Sequence, residues 1–279
     1  MTELRGSPVA GAIAEACKKD IKDLASRGII PKLAIVRVGA REDDLAYERG
    51  VIKRFSSAGA AVDIHALPAD ARQAALERVI AALNDDARTH GILLFRPLPK
   101  PLSEARIKSL IAPSKDIDCM SYVNMAAVFE GDASGYAPCT PKAVMELLSF
   151  YGIGLSGKKV AVVGRSMVVG KPLAMMLLSK NATVTVCHTK THGLADECRS
   201  ADIVVCCAGR PKLLGAEAIR QGHVIVDVGI NMADDGKLCG DVDYEAAKQA
   251  AAAATPVPGG VGAATASVLL RNTVRAAQV

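Results

Sequence analysis

The stretch most suited to chemistry is Lys159-Val-Ala-Val-Val-Gly-Arg-Ser-Met-Val-Val-Gly-Lys-Pro172. An apolar run that reads as a strand ends at Gly164, and a helix begins near Gly170. The spacing is G-x-S-x-x-x-G, not G-x-G-x-x-G. Gly164 suits the tight turn, and Ser166 is small and carries a hydroxyl donor. Gly170 permits close contact between helix and strand, and Pro172 suits a first helical turn. The unpaired N–H groups of such a turn face a pyrophosphate. An NAD site of this kind has an acid about 20 residues further on to take the ribose hydroxyls. Here the next strand ends in Cys187-His-Thr-Lys190, with no acid. Thr189, Lys190 and Arg165 are the residue types that hold a 2′-phosphate, which favours NADP over NAD. An ordinary strand–helix turn, and a solvated loop around Lys190 and His192, are the competing readings.

The elements that must position this turn alternate in type. Strand-like runs fall at Leu33–Val38, Val62–Leu67, Gly91–Phe95, Lys159–Gly164, Thr183–Cys187, Ile203–Cys207 and Val224–Val228. Helical patterns fall at Pro8–Ala25, Asp43–Ala58, Ala71–Asp85, Pro141–Phe150, Gly170–Ser179, Leu194–Ser200 and Asp243–Ala254. Such alternation predicts an α/β protein with parallel sheets and right-handed crossovers. Pro-containing junctions lie at Ala137–Lys142 and Thr255–Gly262, and a helix-forming segment follows the second.

Composition narrows the function classes. Half of the 279 residues are apolar, yet there is no Trp and only 4 Phe and 5 Tyr, so the core must be aliphatic. The 34 basic and 29 acidic side chains give a mild +5 without like-charge blocks. That balance gives nucleic-acid binding no particular support and suits small phosphorylated or carboxylated ligands. Eight Cys make no C-x-x-C pair and five His show no metal-ligand spacing, so free thiols and no metal are expected. With no signal-peptide pattern and no apolar run of about 18 residues, a soluble cytoplasmic protein is expected.

Four stretches in order carry a resemblance: Pro138-Cys-Thr-Pro141, Gly164-Arg-Ser-Met-Val-Val-Gly-Lys-Pro172, Asp227-Val-Gly-Ile-Asn231 and Thr255-Pro-Val-Pro-Gly-Gly-Val-Gly262. Val38-Gly-Ala-Arg-Glu-Asp-Asp-Leu-Ala-Tyr47 and Lys115-Asp-Ile-Asp118 extend it over essentially the whole chain. Together they resemble the methylenetetrahydrofolate dehydrogenase/methenyltetrahydrofolate cyclohydrolase family. The resemblance implies two α/β lobes joined by long helices, with the active cleft between them. Residues 1–140, completed by the C-terminal helix 259–279, would form the folate lobe, and residues 141–258 a Rossmann-like NAD(P) domain. It further implies a homodimer, no catalytic metal, and a tetrahydrofolate-type substrate. Gly164, Arg165, Ser166, Gly170, Thr189 and Ile230 would contact the cofactor. Tyr47 would lie along the folate and Asp118 would hold the pterin's donor groups. Pro258, Gly259, Gly260 and Gly262 would close over the substrate.

The chain departs from that pattern where the cyclohydrolase chemistry sits. The family has a Lys four residues after its Tyr, on the same helical face; here that position is Val51. The family reads Gln-Leu-Pro-Leu-Pro after the third apolar run, and this chain reads Phe95-Arg-Pro-Leu-Pro99. A polar pair that handles protons is thus replaced by Val51 and Phe95. Lys53 falls about 200° around the helix from Val51, and Arg54 lies roughly 10 Å along the axis from Tyr47. Cys119-Met120 stands where Gly and an apolar residue are usual, and Ala263-Ala264 where Pro-Met is usual. The expectation is an NADP-dependent methylenetetrahydrofolate dehydrogenase with weak or absent cyclohydrolase activity. The alternatives are a bifunctional enzyme in which Lys53 or Arg96 takes over, and a non-catalytic nucleotide- or folate-binding protein.

Overall fold

A computed structural model describes residues 1–233 and 235–279. The first elements are β1 (Thr2–Glu3), α1 (Gly6–Ser26), β2 (Lys32–Val38), α2 (Glu42–Ala58), β3 (Ala61–Leu67), α3 (Gln73–Asp85) and β4 (Gly91–Leu94). They are followed by α4 (Glu104–Leu110), α5 (Tyr122–Glu130), α6 (Cys139–Phe150), β5 (Lys159–Val163), α7 (Gly170–Leu178) and β6 (Thr183–Cys187). Then come α8 (Leu194–Ser200), β7 (Ile203–Cys206), β8 (Val224–Asp227), β9 (Asn231–Met232) and β10 (Leu238–Cys239). The chain ends with α9 (Tyr244–Ala250), β11 (Ala253–Ala254) and α10 (Gly262–Ala276).

The chain divides into two compact units. One comprises Met1–Ala10 and Thr140–Thr265, the other Gly11–Cys139 and Ala266–Val279. The first holds a six-stranded sheet in the order β1-β11-β8-β7-β5-β6, parallel throughout. Its central strands are buried on both faces: β7 is fully buried and β5 is buried from Val160 onward. That is why they read as unbroken apolar runs. The edge strand β6 is exposed at Thr183, Thr185 and Val186.

Several boundaries differ from the sequence reading. The helix expected over Asp243–Ala254 stops at Ala250, and Ala253–Ala254 form β11 between β8 and β1. Alanine favours helix, but two ladders and near-complete burial override that preference. The N-terminal strand β1, too short and polar to show a period, pairs with β11. It carries residues 1–10 into this unit, away from the division at 140, and the C-terminal division falls after Thr265, inside α10.

The second unit holds a three-stranded parallel sheet, β3-β2-β4, with Leu33 opposite both Val62 and Gly91. Helix α2 has Glu42, Asp43 and Asp44 in its first turn, where carboxylates favour the helix dipole. It ends at Gly59, φ +87°, whose N–H caps the last turn. Val51, Phe55 and Ala58 are buried at helical spacing on α2, and Leu76, Ile80 and Leu83 on α3. Helices α4 and α5 have no counterpart in the sequence reading. All eight cysteines are free, no helix is long and apolar enough to cross a membrane, and no metal-binding cluster occurs among the described residues.

Candidate active site

In the first unit the sheet order reverses at β5, because β6 lies on one side of it and β7 on the other. Crevices at the carboxyl ends of strands beside such a point are where nucleotides bind in open α/β sheets. A cavity of about 330 Å³ opens there, lined by Gly164, Arg165, Ser166, Thr189, His188 and Arg210 among others. The glycines are required by contact, not by turn preference alone. A Cβ on Gly170 would fall 2.1 Å from the Gly164 carbonyl oxygen. A Cβ on Gly164, φ +138°, would fall 2.5 Å from the Cys207 carbonyl oxygen. The Val169 N–H donates to Ser166 Oγ at 3.0 Å, so the hydroxyl proton remains for a ligand. This cradle, with its small residues and the cations Arg165 and Arg210, fits a dinucleotide phosphate.

Gly164, Arg165, Ser166 and Thr189 therefore meet at one cavity, with Gly170 packed directly behind the turn. Lys190 and His192 are exposed and do not line it. Ile230 is also apart from it: 65% exposed, with its Cδ1 near Gly262 (3.4 Å from a Cβ built there). Sequence reasoning missed His188, Thr191, Cys207 and Arg210. Their signal was position, at or just past the carboxyl ends of β6 and β7. The Cys207 thiol is pushed up to about 12 by burial, so it is not a thiolate.

Two buried carboxylates hold the adjoining loops, and neither was singled out as a site residue. Asp241 accepts from the backbone N–H groups of Ala208 (2.6 Å), Gly209 (3.0 Å) and Arg210 (2.9 Å), and from Asn231 Nδ2 (2.9 Å). Asp227 accepts from Gly229, Asp241 and Val242 backbone N–H groups at 2.9 to 3.0 Å. Burial pushes the Asp227 carboxyl up to about 6 against those three donors. The Pro258–Gly262 loop lies in the same unit. Gly259 holds φ +105°, and a Cβ on Gly260 would sit 2.6 Å from the Pro256 carbonyl oxygen.

In the second unit a different cluster forms. Tyr47 on α2 and Phe95, just past β4, approach with ring centroids 5.8 Å apart and planes tilted by 43°. Asp118 accepts from the Cys139 backbone N–H at 2.9 Å, and its Oδ2 lies 3.7 Å from Arg96 Nη2. Burial raises the Asp118 pKa, opposed by the Cys139 N–H and Arg96. Burial, and beside it the charge of Asp118, push the Tyr47 phenol well up, so it stays protonated. Val51 is 0% exposed and Phe95 7%. Lys53 points to solvent.

The loop bearing Asp118 is held by Asp116, which sequence reasoning passed over. Its carboxylate accepts from Met120 N (2.7 Å), Ser121 N (2.7 Å) and Asn124 Nδ2 (2.9 Å). Asn272 on α10 adds a bond to the Ile117 carbonyl at 2.9 Å. Cys119 sits at φ +58°, the left-handed region that costs a side-chain-bearing residue about 1 kcal/mol relative to glycine.

An aliphatic parallel sheet with a glycine turn at its switch point defines a dinucleotide-binding α/β protein. Residues 4–118 match the family described as tetrahydrofolate dehydrogenase/cyclohydrolase, catalytic domain, and residues 138–279 match its NAD(P)-binding domain. The chain belongs to the tetrahydrofolate dehydrogenase/cyclohydrolase family. It is 49% identical over 276 residues to the "Bifunctional protein FolD" of Clostridioides difficile strain 630, covering 99% of this chain and 96% of that one. Among solved structures it resembles the FolD methylenetetrahydrofolate dehydrogenase/cyclohydrolase of Campylobacter jejuni, with TM-score 0.97 and 39% identity. That likeness covers 100% of this chain and 99% of the other. It also resembles the Trypanosoma brucei dehydrogenase-cyclohydrolase complexed with NADP cofactor and an inhibitor, with TM-score 0.95 and 38% identity, covering 100% and 97%.

Proposed function

We propose that the chain oxidises 5,10-methylenetetrahydrofolate to 5,10-methenyltetrahydrofolate with NADP, and that its cyclohydrolase activity is weak or absent. NADP, when bound, supplies the hydride acceptor; the chain's own residues bind and orient. Gly164 and Gly170 let the backbone approach the pyrophosphate, and Ser166 donates a hydrogen bond. Arg165 and Thr189, which line the cavity, serve the 2′-phosphate. Tyr47 lies along the folate and Asp118 holds the ring's donor groups. Hydride transfer needs orientation and no obligatory protein base.

The observation that carries the negative half is Val51. Water attack on the methenyl carbon gains typically 10²–10⁴-fold from a positioned proton carrier. Val51 has no exchangeable proton and is 0% exposed, while the Phe95 ring occupies the other position of the expected polar pair. The names of the relatives favour a second reading, full bifunctionality. Against it, Lys53 is exposed and Arg96 lies against Asp118 with a head group that stays charged.

The test is the double substitution Val51→Lys, Phe95→Gln, read by hydrolysis of methenyltetrahydrofolate above the buffer rate. A gain of at least about tenfold, with cofactor reduction retained, is expected. A folded, dehydrogenase-active variant with no gain would contradict the reading. The same reading takes the chain to be a cytoplasmic homodimer, for which the exposed β6 edge, with Val186 38% exposed, offers surface.

A further inference from the structure

We infer that Arg96 determines substrate specificity, acting with Asp118 as one donor–acceptor pair that reads the edge of the substrate's ring. The inference rests on the tetrahydrofolate reading and adds a residue to it. The family pattern has Leu at this position, where this chain has Arg96.

The side chains of Arg96 and Asp118 are 15% and 23% exposed, and Nη2 and Oδ2 are 3.7 Å apart. At that distance opposite charges attract but share no hydrogen bond. Asp118 spends Oδ1 on the Cys139 N–H, and among the described residues no hydrogen bond holds the Arg96 head group. An acceptor oxygen and a fork of N–H donors thus stand side by side, each with capacity for a third group. Phe95, the residue before Arg96, packs its ring on Tyr47, so an aromatic wall adjoins the pair.

A guanidinium keeps its proton at neutral pH, so Arg96 donates and does not shuttle. A 2-amino-4-oxopteridine presents along one edge the N–H donors of its 2-amino and N3 groups, then the 4-oxo acceptor. Asp118 takes the donors and Arg96 the oxo group. A 2,4-diamino ring puts a donor where the oxo stood, facing the guanidinium N–H groups with no acceptor between them. Sites built to pair a polar group reject a ligand that leaves it unpaired.

The experiment is calorimetric binding of folic acid and of its 4-amino-4-deoxy analogue to the full chain in the presence of NADP. It is run near neutral pH, above the protonation of the diamino ring and below the N3–H ionisation of the 4-oxo ring, where both rings are neutral. The wild-type chain is expected to prefer the 4-oxo ligand by roughly tenfold or more, the size of one charge-assisted hydrogen bond. Arg96→Leu is expected to bring the two affinities within about threefold, chiefly by losing the 4-oxo ligand. Arg96→Gln, which keeps a neutral donor, should fall between and serves if the leucine variant does not fold. Folded variants that keep the wild-type ratio would overturn the role of Arg96 and leave the tetrahydrofolate reading intact. A wild-type chain that binds neither pteridine would overturn that reading and the inference with it.

Discussion

The two candidate regions are made of different material. The cavity beside β5 is shaped by backbone: Gly170 against the Gly164 carbonyl, Gly164 against Cys207, and loops tied down by Asp227 and Asp241. The Tyr47 cluster is shaped by side chains: two rings, a valine and an arginine–aspartate pair standing on a sheet-and-helix frame. Backbone sites tolerate little change, because any added atom must displace a peptide unit. Side-chain sites can be rewritten at fixed fold. Most departures from the family pattern accordingly sit in the second region, with Ala263-Ala264 in the first, and the glycine turn is intact.

This contrast can be broken or sharpened by mutation. Gly170→Ala should have the largest effect. A Cβ 2.1 Å from a carbonyl oxygen forces the turn open, and NADP affinity should fall by roughly 100-fold, about 3 kcal/mol. Calorimetric titration with NADP checks this; unchanged affinity would mean that the cradle is not the cofactor site. Val51→Lys comes next, because it places an ammonium at a position that is 0% exposed. A stability loss of about 2–3 kcal/mol in urea unfolding is expected. Adding Phe95→Gln, which offers a polar partner, should recover roughly 1 kcal/mol. Strict additivity of the two changes would show that the positions do not communicate.

Arg165→Gln should raise the KM for NADP by roughly tenfold and leave that for NAD within about twofold. Equal effects on both cofactors would remove the 2′-phosphate assignment. The smallest effect is expected from Lys53→Ala. Its side chain is exposed, and both stability and methenyl hydrolysis should stay within about 0.5 kcal/mol and twofold of wild type. A marked loss of hydrolysis would revive Lys53 as the relocated proton carrier.

Much of this was legible in the sequence for local reasons. Buried parallel strands read as apolar runs, and a glycine turn follows from the spacing of three residues. What escaped was long-range. Asp241 serves N–H groups 31 to 33 residues away, a relation that no periodicity records. The Ala253–Ala254 strand is made by its neighbours on both sides, not by its own preference. Ile230 belongs to a familiar motif yet stands clear of the cavity, near Gly262. The Arg96–Asp118 pair joins positions 22 apart, each of which alone reads as a surface charge.

The central claim is that hydride transfer survives here without ring opening. It is tested most directly by incubating the purified chain with methylenetetrahydrofolate and NADP, following cofactor reduction and methenyl absorbance in one cuvette. The account predicts reduced cofactor with methenyltetrahydrofolate accumulating and decaying no faster than in buffer alone. Reduced cofactor with the methenyl product consumed as quickly as it forms would contradict it.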